Sequence, residues 1–168
     1  MSVPCTEPRP FDVVFVGNEH PIKGIDRLQE IVFSNPFLSF AIVGKVSPFC
    51  ARSNVTFFGE LKGAKKYKIL KKSKVLVLPS YHESFSLVAV EAMSVGTPVV
   101  MPCIPTLNSI YNEGICMCNP LEPESWKSFD MAIHGFLDGF FNWSLTSQQA
   151  IEESKRFNWC TEARKVIE

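Results

Sequence analysis

An α/β fold, a doubly wound parallel sheet of about six strands, is predicted by three features of the chain. Short, mostly apolar runs recur along it, each run stops at a glycine or proline, and stretches of helical period separate them. The first run, residues 12–16, ends in Gly17. The second, 40–43, ends in Gly44, and the third, 55–58, ends in Gly59. A fourth, 75–78, is followed by Pro79 and Ser80, and a fifth, 98–101, by Pro102. None alternates apolar with polar, so each predicts a parallel strand covered on both faces. A sixth strand is expected at 114–118.

Helical spacing joins these runs. Ile25, Leu28, Ile31 and Val32 precede the second strand, and 87–95 precedes the fifth. The lysine-rich stretch 62–74 reads as a helix with Tyr67 and Leu70 inward and its lysines in solvent, in preference to a phosphate or anionic-lipid patch. Closing helices are expected at about 122–139 and 143–167. The alternation of strand and helix makes the sheet Rossmann-like.

With 168 residues, 46% hydrophobic and 20% charged, the chain suits one domain, with its core at about 12–165. Seventeen basic residues balance seventeen acidic ones, which removes the electrostatic attraction that nucleic-acid and membrane-surface proteins rely on. No nucleic-acid partner and no membrane span are expected. The first ten residues lack a basic start and apolar run, so a cytoplasmic location is expected. There the six cysteines, Cys5, Cys50, Cys103, Cys116, Cys118 and Cys160, would stay reduced. Cys116 and Cys118 would share one strand face, and no second Cys or His pair stands at ligand spacing, so no metal site is expected.

In a doubly wound sheet, ligands bind outside the carboxyl ends of the strands, beside free helix N–H groups. Here that edge carries Gly17, Gly44, Gly59 and the loop 80–86. The chain contains no G-x-G-x-x-G, no G-x-x-x-x-G-K-[ST] and no G-x-S-x-G, which removes the fingerprints of dehydrogenases, P-loop NTPases and α/β hydrolases.

Between Lys74 and Glu113 the only formally charged residues are Glu83 and Glu91. Glu91 stands in the apolar run 87–93, where a buried carboxylate needs donors that the neighbouring sequence does not supply. Either it bonds a backbone turn, or it accepts the two O–H bonds of a vicinal diol such as ribose. Spacing alone leaves both readings open. The amides of Phe85, Ser86, Leu87 and Val88 open the helix after Glu83 and would receive a phosphate, aided by the helix dipole.

Glu83 and Glu91 with seven residues between them, Leu78-Pro79-Ser80 before and Glu91-Ala92-Met93, Gly96 and Thr97-Pro98-Val99-Val100 after, resemble the signature of family 4 (group 1) retaining glycosyltransferases of GT-B fold. Val16-Gly17 with Lys23-Gly24, Ile42-Val43-Gly44, Asn54-Val55 to Phe58-Gly59, and Phe157-Asn158-Trp159 follow the family's order. The resemblance implies the carboxyl-terminal half of the GT-B fold, which binds a nucleoside diphosphate sugar. It implies that Glu83 meets donor-sugar hydroxyls, Glu91 the ribose diol, and Lys23 with the amides of Ser86, Leu87 and Val88 the diphosphate. Gly17, Gly44, Gly59, Glu60 and Leu61 would line the diphosphate and base. The catalytic pair implied is Glu83 and Lys23, with no cofactor and no metal, because a lysine and a helix N-terminus can neutralise the leaving diphosphate.

The match has departures. Asn18 stands where an arginine is usual, Ser86 where glycine is common, and Pro102, Cys103, Ile104 and Pro105 where paired glycines often follow the fifth strand. The amino-terminal acceptor domain has no counterpart here, so three readings stay open: the other half is a separate acceptor-domain polypeptide, the chain is an excised fragment, or transfer activity has been lost. The alternative is a non-catalytic nucleotide-sugar sensor or interaction module; a phosphate-binding protein using the lysine helix is a third reading. His82 beside Glu83 would touch phosphate or sugar, with His20 and Cys103 near the same edge. Phe136, Phe140, Phe141 and Trp143 are expected in the core, or, if exposed, as a docking surface.

Overall fold

The computed structural model describes residues 7–118 and 124–157. Six parallel strands form one sheet: β1 (Phe11–Val16), β2 (Phe40–Val43), β3 (Val55–Gly59), β4 (Ser73–Val77), β5 (Val99–Pro102) and β6 (Ile115–Cys118). Their order across the sheet is β3-β2-β1-β4-β5-β6. The chain therefore winds outward one way from β1, returns to the centre, and winds outward the other way from β4. The switch point, where a doubly wound sheet opens a crevice, lies between the carboxyl ends of β1 and β4.

The period-2 geometry of the strands sorts their side chains into two cores. Val13, Phe15, Phe40, Ile42, Val75, Val77 and Val100 face one side, under α1 (Ile25–Ser34) and α5 (Trp126–Leu137). Val14, Ala41, Val43, Leu76, Leu78, Val99 and Met101 face the other, under α2 (Gly63–Lys71), α3 (Leu87–Ser94) and α6 (Trp143–Ser154). Burying each of the larger of these side chains contributes roughly 1.5–3 kcal/mol. Cys116 and Cys118 pack on the α1/α5 side together, as their spacing predicts.

Several expectations are corrected. β3, at one edge of the sheet, is not covered on both faces: Thr56 and Gly59 are exposed there, where among the described residues no strand pairs beyond it. β4 begins at Ser73, two residues before its apolar run. Tyr67 is 37% exposed rather than inward. The buried face of α2 carries Lys66, Ile69 and Leu70 at i, i+3 and i+4, so one lysine of the run turns inward. Two elements escaped sequence reading, a 3-10 turn over Pro21–Lys23 and the short α4 (Pro105–Asn108), both opened by a proline whose missing N–H is free to sit there. α6 ends at Ser154 and a 3-10 turn covers Lys155–Phe157; Asn158, Trp159, Cys5 and Cys160 lie outside the described residues.

Phe136, Phe141 and Trp143 belong to the core, and the Trp143 indole donates to the Lys74 carbonyl at 2.8 Å; Phe140 is 85% exposed. Among the described residues no helix is long and apolar enough to cross a membrane, and no group of three or more His, Cys, Asp or Glu is placed to hold a metal ion.

Candidate functional site

The loops leaving β1 and β4 meet above the switch point. The Tyr81 amide donates to the Ile22 carbonyl at 2.8 Å, and Gly24 lies so close to Pro79 that an added Cβ would sit 2.0 Å from the Pro79 oxygen. Gly24 also holds φ +68°, which glycine adopts without strain. From α1, the buried Arg27 guanidinium reaches under both, donating to the carbonyls of Pro79 at 3.0 Å and Ser80 at 3.2 Å and stacking 3.7 Å from the Tyr81 ring. Tyr81 in turn hydrogen-bonds Asp26, and this bond holds its hydroxyl above the ordinary tyrosine range.

This clamp brings together two residues 60 positions apart in sequence. Lys23 Nζ donates to both carboxylate oxygens of Glu83, at 2.8 and 3.1 Å. Glu83 is 10% exposed and Lys23 33%, so the pair opens to solvent from the lysine side. An ammonium and a carboxylate thus stand together at the crevice mouth, one suited to an anion and the other to hydroxyls. The Glu83 carbonyl accepts from Thr106 of α4 at 3.2 Å.

The start of α3 lies beside the pair. The first bond of this helix runs from the Ala89 amide to the Ser86 carbonyl, so the amides of Ser86, Leu87 and Val88 precede the hydrogen-bond ladder and face the edge with the positive end of the dipole. Ser86 has φ +63°, which accounts for glycine being common at this place in the resemblance. Its hydroxyl is buried and makes no hydrogen bond among the described residues. Tyr111 fixes the turn, donating to the carbonyls of Phe85 at 2.5 Å and Ser86 at 3.2 Å; burial, then the nearby Glu83 and Glu153, push its hydroxyl well above the ordinary range. The Phe85 ring packs against Tyr111 and Phe157, away from the edge.

Glu91 sits one to two turns along α3. Lys66 donates to its Oε1 at 2.7 Å, while Oε2 is buried and has no hydrogen bond among the described residues. Sequence reasoning missed Lys66. The available signal was helical phase, since Lys66 stands four residues before the buried Leu70. The donor that Glu91 requires comes from the adjacent helix, which the neighbouring sequence does not reveal.

Towards the sheet edge, Gly17 donates to Val43 at 3.0 Å and Gly44 to Gly59 at 2.7 Å, joining three strand ends in a row. Beyond them, a cavity of about 520 Å³ is lined by Glu60, Leu61, Lys62, Ala64 and Lys65. Lys45 and Lys62 stand 3.5 and 3.6 Å from Glu60, and Lys45 first, then Lys62, holds that carboxyl below its ordinary range. On the opposite flank, Glu19, His20, Pro21, Ile25, Asp26 and Tyr81 line a cavity of about 370 Å³. The His20 ring caps the 3-10 turn, accepting from the Ile22 amide at 3.3 Å. Asn18, His82 and Cys103 are exposed along the same edge.

The glycosyl transferases group 1 family profile matches residues 10–135. A D-inositol 3-phosphate glycosyltransferase of Segniliparus rotundus is 26% identical, over 88% of this chain and 36% of its own. Sucrose-phosphate synthase from Thermosynechococcus elongatus superposes with a TM-score of 0.79 at 25% identity, over 98% of this chain and 45% of that one. Anabaena HepE, solved in complex with UDP, superposes with a TM-score of 0.77 at 19% identity, over 94% and 48%. The chain spans about a third of the length of the curated relatives it matches. With the family match running from the first strand into α5 and the sheet having the GT-B form, the chain belongs to the group 1 glycosyltransferases.

Proposed function

We propose that residues 1–168 form the nucleotide-sugar-binding domain of a retaining glycosyltransferase, working in the cytoplasm with an acceptor-binding domain. The observation that carries this reading is Glu91, whose Oε1 is held by Lys66 while Oε2 lies buried without a donor. A buried carboxylate oxygen left unpaired is costly, and the Glu91 side chain, 22% exposed, can turn it towards a ribose hydroxyl that supplies the missing bond.

From that anchor the other groups fall into order. The amides of Ser86, Leu87 and Val88 and the Lys23 ammonium take the diphosphate, with Gly17 and Asn18 on its other side. Glu83 takes hydroxyls of the donor sugar, with His82 at the rim, and Gly44, Gly59, Glu60 and Leu61 take the base end. In the transfer, the bond from the anomeric carbon to the diphosphate oxygen breaks and the diphosphate leaves with the electron pair. The acceptor hydroxyl bonds to the same face of that carbon, and its proton passes to the departing phosphate oxygen. Lys23 and the helix dipole stabilise the charge that develops, so this path calls on no metal ion. Glu83 meets that charge's opposite, the positive character growing on the sugar ring.

Calorimetric titration with UDP, GDP and ADP, and then with their sugar conjugates, tests the reading. At least one is expected to bind, and Glu91→Gln to weaken it about 10- to 100-fold, the worth of a hydrogen bond to a charged group. Unchanged affinity in a folded variant would sink the ribose role. A second reading, a nucleotide-sugar sensor without transfer, is favoured by Asn18, which offers no charge where an arginine is usual in the resemblance. Donor binding without turnover in the presence of an acceptor-binding domain would select it.

A further inference from the structure

We propose that the nucleotide taken by this site carries guanine, read by the carboxylate of Glu60. The inference rests on the donor-site reading above and adds the identity of the base. The cavity beyond Gly59 is lined in part by Ala64 and Lys65 in the first turn of α2, and the next residue of that helix, Lys66, holds Glu91, so one helix links the two places. A nucleoside with its ribose at Glu91 therefore places its base against Glu60, Leu61 and Lys62.

The chemistry at that position selects among bases. Glu60 is ionised and accepts only, with two oxygens side by side. Lys45 and Lys62 stand 3.5 and 3.6 Å away as donors only. Guanine alone presents two adjacent donors, N1–H and the 2-amino group, next to an acceptor, O6. The two donors match the two carboxylate oxygens, and O6 meets an ammonium. Uracil offers one N–H between two carbonyl oxygens, so one of the Glu60 oxygens would face a lone pair. Adenine offers one amino group beside a lone pair, with the same outcome. Glu60 is about half exposed and its two ion pairs are long, so it can turn to a base without breaking a buried contact. Leu61 gives the ring an apolar neighbour.

The test is calorimetric titration of the chain with GDP, IDP, UDP and ADP at one ionic strength. IDP lacks only the 2-amino group. GDP is expected to bind about tenfold more tightly than UDP or ADP, with IDP between, the discrimination typical of a bidentate base contact. In Glu60→Gln the GDP advantage over IDP and UDP is expected to disappear while UDP affinity holds within about twofold. Thermal unfolding of the variant, at this exposed position, checks that it is folded. Equal binding of GDP and UDP, or equal losses for both in Glu60→Gln, would overturn the guanine assignment and leave the donor site standing. Binding of none of the four would overturn the donor-site reading and this inference with it.

Discussion

At the switch point the loops after β1 and β4 are locked to one another, whereas the turn between β3 and α2, at the edge of the same sheet, projects into solvent. In the first region Arg27 holds two carbonyls from beneath, Gly24 touches Pro79, and Glu83 is nine-tenths buried beneath Lys23. In the second, Glu60, Lys62 and Lys65 are exposed and their ion pairs exceed 3.4 Å. The difference teaches where preorganisation is worth having. Groups that must face a developing charge act best when the fold has already oriented them. Groups proposed to read a base need only a complementary edge, and a solvated turn can carry it at little cost in stability.

The largest effect that would break this contrast is at Gly24. Gly24→Ala combines a left-handed backbone with a Cβ 2.0 Å from a carbonyl oxygen that Arg27 also holds. A loss of about 3–5 kcal/mol is expected in urea unfolding. An unchanged midpoint would mean the two loops are free of each other.

Lys23→Met removes the cation over a mostly buried carboxylate. Because Lys23 is a third exposed, the expected loss is discounted to about 1–2 kcal/mol, and Glu83→Gln in the same chain should recover most of it. A double-mutant cycle measures this coupling; additive losses would remove the pair from the locked region.

The smallest effect sharpens the contrast from the other side. Gly59 also has positive φ, at +66°, yet nothing lies within 4 Å of where its Cβ would be. Gly59→Ala is expected to cost about 1 kcal/mol, the backbone term alone. A loss as large as that at Gly24 would show the β3 end to be packed as tightly as the switch point.

Much of the frame was legible in the chain. The six strands appear as apolar runs because both faces of a central parallel strand are buried, and the edge strand β3 is where that rule weakened. Glu83 and Glu91 stood out because they are the only formal charges in 38 consecutive residues of otherwise uncharged chain, 75–112. What escaped depends on approach through space. Lys66 was one lysine among many until α2 was laid beside α3, and Tyr67 was misplaced by one helical step. Thr106 reaches the site from a four-residue helix whose only sequence signal is Pro105, and Tyr111 from the chain just after it.

By itself the sequence determined the fold class, the edge proposed for ligand binding and the residue types gathered there, since these follow from periodicity, glycine placement and local charge. The tertiary structure decided which charges meet. Lys23 with Glu83, Lys66 with Glu91, and Lys45 and Lys62 with Glu60 are pairings across separate loops and helices. Such contacts form only when the sheet order sets those elements side by side, and the order of strands in a sheet is a property of the packed whole.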